Sequence, residues 1–339
     1  MTPRTTADAA PPSATAAPEP PRRLLRAAPM AATVVLLAAA PLFLAPYATT
    51  TLSRILVFAL LAASLDLLVG ITGLPSLGHA AYFGVGAYAA GWITIHLTPA
   101  VPVPLLAGAA FGGVAAAATG WFAVRSAGVF FLMLTLAIGE IVRQVAQSWD
   151  SVTGGSNGLY GIDLPSVAGA PLGNVGLLHW YVLAGAVLGY AVLRAVAASP
   201  FGAVLRGIRD NEPRMRALGY RPYGYKLAAF VIAGSVAGVA GALLAAQQRL
   251  VTPSDLGFTT AALALLAVVI GGAGTLWGPC LGAAVVVLVR DALGPTLDGH
   301  GPLLLGVVFI AVVYLLPRGA AGVRLRRGPG REQSEQEPT

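Results

Sequence analysis

The chain has 339 residues, and only 10% of them are charged, where an average soluble domain carries about 25%. Its 21 basic residues, of which Lys226 is the sole lysine, outnumber 14 acids and give a net charge of +7. A water-soluble surface is excluded. Asp66 is the one charge between Ile55 and Val124, and none occurs from Leu256 to Val289, so hydrocarbon or apolar protein must surround both stretches.

Residues 1–24 are mostly Pro, Ala, Thr and Ser, too little to bury, and are expected to form a disordered cytoplasmic tail. Arg22, Arg23 and Arg26 then precede an apolar run to Pro46. This order also fits a signal peptide, and the arginine pair a twin-arginine signal. Further spans follow at once and no small-residue cleavage site stands out, which favours an uncleaved first span.

Segments near 20 apolar residues, the length that crosses about 30 Å of hydrocarbon, follow at 52–71, 77–97, 102–124, 127–147, 176–197 and 226–248. Three shorter pieces, 258–276, 279–293 and 302–317, read either as full spans or as half-spans that turn back. The expected fold is all-α, a polytopic bundle of about ten transmembrane helices with Gly-rich breaks. Small residues recur at helix-contact spacing (Gly108 and Gly112, Gly185 and Gly189, Gly234 and Gly238, Gly278 and Gly282), as compaction of many helices in lipid requires.

A cytoplasmic N-terminus places 17 of the 21 basic residues inside, seven of them from Arg194 to Lys226, and leaves Arg54, Arg143, Arg249 and Arg290 outside. The positive-inside rule selects this topology, with both termini cytoplasmic. Residues 318–339 form a basic, then acidic, tail. The basic residues lack interleaved aromatics, so membrane lipid rather than nucleic acid explains them. Cys280, the lone cysteine, lies in an apolar run and reads as a packing residue.

Chemistry is sparse. A P-loop needs its lysine after Gly and before Ser or Thr, whereas Lys226 stands between Tyr225 and Leu227; ATP-driven work therefore belongs to another subunit, and no cofactor is expected on this chain. His79, His96, His179 and His300 are scattered, without the spacing of a helical zinc site. Gly154 to Gly158 satisfies G-x-S-x-G, but a nucleophile elbow needs a strand before it and a helix after it. An intramembrane serine hydrolase built on Ser156 is thus a remote rival.

Charges inside spans are costly and usually face a cavity or a partner. Asp66 is mid-span, while Glu140 and Arg143, three apart, can share a helix face as an ion pair or line a solute path. Gly70 to His79 and Ile270 to Gly274 break apolar runs in the two halves, as loops or as backbone exposed at a binding site. A secondary transporter with Asp66 or Glu140 as proton site is a second rival.

Between Ser199 and Arg221, Ser-Pro and Glu-Pro start signals and Gly219 after Leu218 predict two short helices. Val204, Leu205 and Ile208 give the first an apolar edge, and Arg206 and Arg209 a basic one. Such a helix lies on lipid or docks a cytoplasmic partner.

Four stretches, in order, resemble LivM-type permeases, membrane subunits of bacterial ABC importers for branched-chain amino acids. They are Leu77 to Tyr88 (LGHAAYFGVGAY), Leu134 to Arg143 (LTLAIGEIVR) with Thr153 to Gly158 (TGGSNG), Ser199 to Gly202 with Arg209 to Glu212 and Leu218-Gly219, and Ile270 to Thr275 with Gly278-Pro279. The resemblance covers about residues 50–317 and implies a permease domain over 25–317. It implies a second, LivH-like permease subunit, two cytoplasmic ATPases that bind ATP-Mg, and an extracytoplasmic solute-binding protein. Asp66, Ser76, His79, Tyr82, Glu140 and Arg143 become the candidate substrate path, and 199–221 the coupling loop, with Phe201, Arg206, Arg209, Glu212, Leu218 and Gly219 as its candidate contacts. The chain departs from the family in Asp66 for a commoner Asn, in Pro75 for a usual Gln, and in Pro213 to Arg216 for smaller residues. Related permeases also carry urea, short amides or other amino acids.

Overall fold

The structure, a computed structural model, describes residues 22–293 apart from 168, together with 306, 307 and 310; of 22–29 and 292–293 it describes the backbone alone. The expected disorder of the first residues, the span at 302–317 and the tail at 318–339 therefore lie outside the described residues, save for isolated positions. The chain divides into two compact units, the residues through Ala39 and those from Ala40 onward. The described part of the first unit is residues 22–39 of helix α1 (Arg22–Phe43).

In the second unit, α2 (Pro46–Asp66) starts on Pro46, whose missing N–H is no loss at a helix start. It continues as a π-helical turn over Leu67–Thr72 and stops at Gly73, whose φ of +75° a side chain would resist. Apolar on all sides, α2 is the most enclosed of the long helices.

Next come α3 (His79–His96), α4 (Val103–Ala123) and α5 (Val129–Ser148), which pack on one another, and, after a long loop, α7 (Val175–Ala198) and α10 (Pro222–Gln248), which pack on α2; α10 also carries α3 and α4. The loop before α7 holds the one-turn α6 (Asp150–Thr153), a 3-10 turn at Gly155–Asn157 and the strands β1 (Leu159–Tyr160), β2 (Ser166–Val167) and β3 (Ala170–Pro171). Antiparallel pairing joins β2 to β3, and β1 to β4 (Leu250–Val251). Two shorter helices, α8 (Pro200–Asp210) and α9 (Glu212–Ala217), lie between α7 and α10. The last pair, α11 (Phe258–Gly271) and α12 (Trp277–Val287, extended by a π-helical turn over Leu288–Leu293), is a hairpin closed by Gly272 to Leu276.

Among the described residues, five helices are long and apolar enough to cross a membrane: α2 with its π turn, α4, α5, α7 and α10. The 14 residues of α11 rise only about 21 Å at 1.5 Å each, short of the hydrocarbon thickness.

The glycine pairs do pack helix on helix within this chain. A methyl group on Gly238 would stand 2.0 Å from Gly108 O, and one on Gly112 2.7 Å from Gly234 O, so α4 and α10 touch backbone to backbone. Gly185 and Gly189 admit Leu243 and Leu60, while Gly278 and Gly282 oppose Gly271 and Ala267 across the α11–α12 hairpin.

Candidate functional site in the helix breaks, on α5 and in the α8–α9 segment

The two Gly-rich breaks meet. Gly70 lies so close to Gly274 that a methyl group on it would stand 2.0 Å from Gly274 N. The carboxylate of Asp66, fully buried, accepts the Gly274 N–H at 2.7 Å on one oxygen and the Leu276 N–H at 2.9 Å on the other. Each donor is a loop amide that its own chain leaves free, so the acid is matched by fixed dipoles rather than by a counter-ion alone. From below, Arg209 of α8 donates through Nη1 to Gly70 O, one of the carbonyls that a helix end leaves without an internal donor.

Beyond the first break, Ser76, His79 and Tyr82 are sealed inside the bundle by this chain's own helices. Ser64 gives its single hydroxyl proton to Leu61 O at 2.7 Å, so the 2.9 Å contact with His79 is donated by Nε2–H of the ring. Nδ1 is then an acceptor; it and Ser76 Oγ, three residues apart in sequence, have no hydrogen-bond partner among the described residues. By the same logic Thr119 donates to Ala115 O and accepts from Tyr82 at 2.7 Å, while Tyr82 meets His79 and Phe230 edge to face.

On α5 the arrangement is reversed. Thr135 and Gly139 face inward, where a methyl group on Gly78 would lie 2.0 Å from Thr135 O. Outward stand Glu140, Gln144 and Gln147, with Arg143 at their edge. Arg143 holds Glu140 through Nε and Nη2 and reaches Gln147 Oε1 through Nη1 at 2.9 Å. Glu140 lies eight residues before the helix end, about 12 Å by helix rise, within hydrocarbon depth for a crossing helix.

In the segment between α7 and α10, Ser199 caps α8 and Asn211 caps α9, each accepting a backbone N–H of the first turn. Leu205 and Ile208 are buried against α7, α10 and the π turn of α2, so the apolar edge of α8 is spent inside the protein rather than on lipid. Phe201 stacks on Tyr225, and Arg206 donates to Ala197 O at 2.9 Å. Glu212 bridges Lys226 at 2.5 Å and Arg216 at 2.6 Å. Burial alone would raise its pKa, but these two cations hold the carboxyl below the ordinary glutamate value. A cleft of about 430 Å³ opens between Gly73, Gly128, Arg209, Glu212 and Lys226. Leu218 projects outward beside Gly219, whose φ is +89°.

Residues 47–317 match the family described as the permease component of branched-chain amino acid transport systems. The chain belongs to that family.

The permease is similar to the high-affinity branched-chain amino acid transport system permease protein LivM of Escherichia coli, 27% identical over 78% of this chain and 67% of the relative. The Salmonella typhimurium LivM is 26% identical over the same shares. A probable branched-chain amino acid transport permease LivM of Methanocaldococcus jannaschii is 26% identical over 54% of this chain and 57% of its own length. No solved structure matches. The family is one of transport subunits, and the permease is a helical, membrane-integral subunit of an ABC importer.

The structure brings Asp66 and Arg209 to one point, groups Ser76, His79 and Tyr82 in the interior, and sets Glu140 and Arg143 apart on α5. Sequence reasoning missed Lys226 as the partner of Glu212, Thr119 as that of Tyr82, and Gln144 and Gln147 as neighbours of the α5 pair. Only the glutamines had a visible signal, lying one and four residues beyond Arg143 on a helix. Ser156 is exposed on a 3-10 turn that follows a helix, not a strand, so the elbow geometry does not form.

Proposed function

We propose that the permease forms a translocation path for branched-chain amino acids together with a second, similar membrane subunit. Two cytoplasmic ATPases that bind ATP-Mg would drive it, and an extracytoplasmic binding protein would deliver the solute. The single observation that carries this reading is the outward face of α5. Glu140, Gln144 and Gln147 project from a membrane-crossing helix where exposure to lipid would be costly. A water-filled path or a partner helix must cover them. Phe130, Ile141 and Val145, round the helix from that stripe, suit lipid. The polar stripe ends inward in Met133 and Val129, which suits passage of an aliphatic side chain.

In this reading both termini are cytoplasmic. The α8–α9 loop, with Phe201, Arg206, Arg209, Glu212, Leu218 and Gly219, docks on an ATPase and passes its movement to the spans. Solute enters past Glu140 and Arg143, and the breaks around Asp66, Ser76, His79 and Tyr82 reshape as access alternates. The assembled complex in proteoliposomes should accumulate labelled leucine only when ATP reaches the ATPases and the binding protein is present. Uptake that follows a proton gradient without ATPase subunits would overturn the reading.

A further inference from the structure

The expected role of the α8–α9 loop is to receive a push; nothing in that role says how the push enters the membrane. Six residues at one point supply a route. The Arg209 guanidinium donates to Gly70 O, and its stem crosses Gly73 so closely that a methyl group there would lie 2.6 Å from Arg209 Cγ. Gly70 abuts Gly274, and Asp66, one helical turn before Gly70, holds the amides of Gly274 and Leu276. Three chain segments far apart in sequence, the end of α2, the middle of the α8–α9 loop and the turn between α11 and α12, are thereby tied without slack.

We infer that Arg209 and Asp66 are positioning residues that latch α8 to both glycine breaks, so that displacement of α8 by an ATPase shifts the α11–α12 turn as well as the end of α2. The inference rests on the importer reading above. The parts fit the task. Gly70 O, at a π-helical end, has a bond to offer that costs the helix nothing. Gly70 and Gly274 let the two backbones move as one, because neither carries a side chain between them. The carboxylate matters as well: Asp66 accepts on both oxygens, whereas the amide of an asparagine would present one oxygen and one donor to two donors. An acid at this position makes the grip on the second break two-handed.

The test is hydrogen exchange on the intact complex, nucleotide-free and with the ATPases trapped on nucleotide. The latch predicts that amides of residues 270–276 change their exchange rate at least tenfold between the two states. Arg209→Ala should abolish that difference in complexes that still copurify with the partners through the remaining docking contacts of the loop, Phe201, Arg206, Leu218 and Gly219. Arg209→Lys, which keeps a donor for Gly70 O, should retain part of the difference and covers the case in which the alanine variant does not assemble. A staple with no transmitting role leaves the nucleotide-dependent difference intact in both variants, and that result, or a wild type with no difference at 270–276, overturns the inference. Leucine uptake on the same preparations separates the two claims: a wild-type complex without ATP-driven uptake sinks the importer reading, whereas uptake with an unaltered exchange pattern in the variants sinks the latch alone.

Discussion

Asp66 sits where a lone carboxylate would be expelled from the membrane, and it stays because two amides meet its two oxygens. Replacing it with leucine leaves the Gly274 and Leu276 N–H groups without acceptors, and each stranded buried amide costs about 1–3 kcal/mol. Asp66→Leu should therefore lower the melting temperature of the detergent-purified permease clearly, and Asp66→Asn by less, since one oxygen still accepts. Equal melting of Asp66→Leu and wild type would mean that the amides have other acceptors. Glu212 gives a pH-dependent counterpart. Its pKa lies below the usual value because Lys226 and Arg216 favour the charged form over the opposing effect of burial. Its stabilisation is thus fully present above the ordinary glutamate pKa and is lost as pH falls through the lowered one. Local unfolding of the α9–α10 junction, followed by proteolysis, should accelerate only in that acid range, and Glu212→Gln should remove the pH step. A step that persists in the glutamine variant would assign it to another group.

At the scale of elements, close backbone approach decides which helices are neighbours. Gly238→Val drives a side chain into Gly108 O and Gly112, an overpacking worth roughly 1–3 kcal/mol. Gly224→Ala, near the start of the same helix with open space around it, should be neutral or gain up to about 1 kcal/mol of helix propensity. Thermal unfolding of the two variants should split in opposite directions; a shared loss would show that α10 tolerates no side chain anywhere. The spans themselves were legible in the sequence. The runs expected at 102–124 and 176–197 are helices at Val103–Ala123 and Val175–Ala198, and the two helices of the 199–221 loop start at the Pro-marked positions. One boundary moved for a physical reason: α10 begins at Pro222, not 226, because Lys226 is neutralised by Glu212 and need not end the span. Hydropathy sees a lone charge there and stops. The short strands of the loop before α7 were not legible, since two-residue pairs such as Leu159–Tyr160 with Leu250–Val251 carry no period to read. Nor was the meeting of Asp66 with Gly274, 208 residues away, because each break looks like an ordinary loop until its partner is placed beside it.

For the whole molecule, the low charge content and the position of each charge tell one story. Few charges enter the apolar helices; of the buried ones, Asp66 is tied to backbone amides and Lys226 to Glu212, while Glu140 and Arg143 stand on a face of α5 that the described residues leave open. A helix with inward small residues, an apolar flank and a polar outward stripe cannot satisfy lipid on all its free surface. The account therefore stands or falls on water and solute reaching α5. The most direct measurement places single cysteines at Gln144 and Ile141 in a Cys280→Ala background of the assembled complex and follows labelling by a charged thiol reagent applied from the binding-protein side. The account predicts that Gln144→Cys reacts, that branched-chain amino acid delivered by the binding protein slows its reaction, and that Ile141→Cys stays unlabelled throughout. Labelling of both positions alike, or of Ile141→Cys alone, would contradict the assignment of the polar stripe to the translocation path.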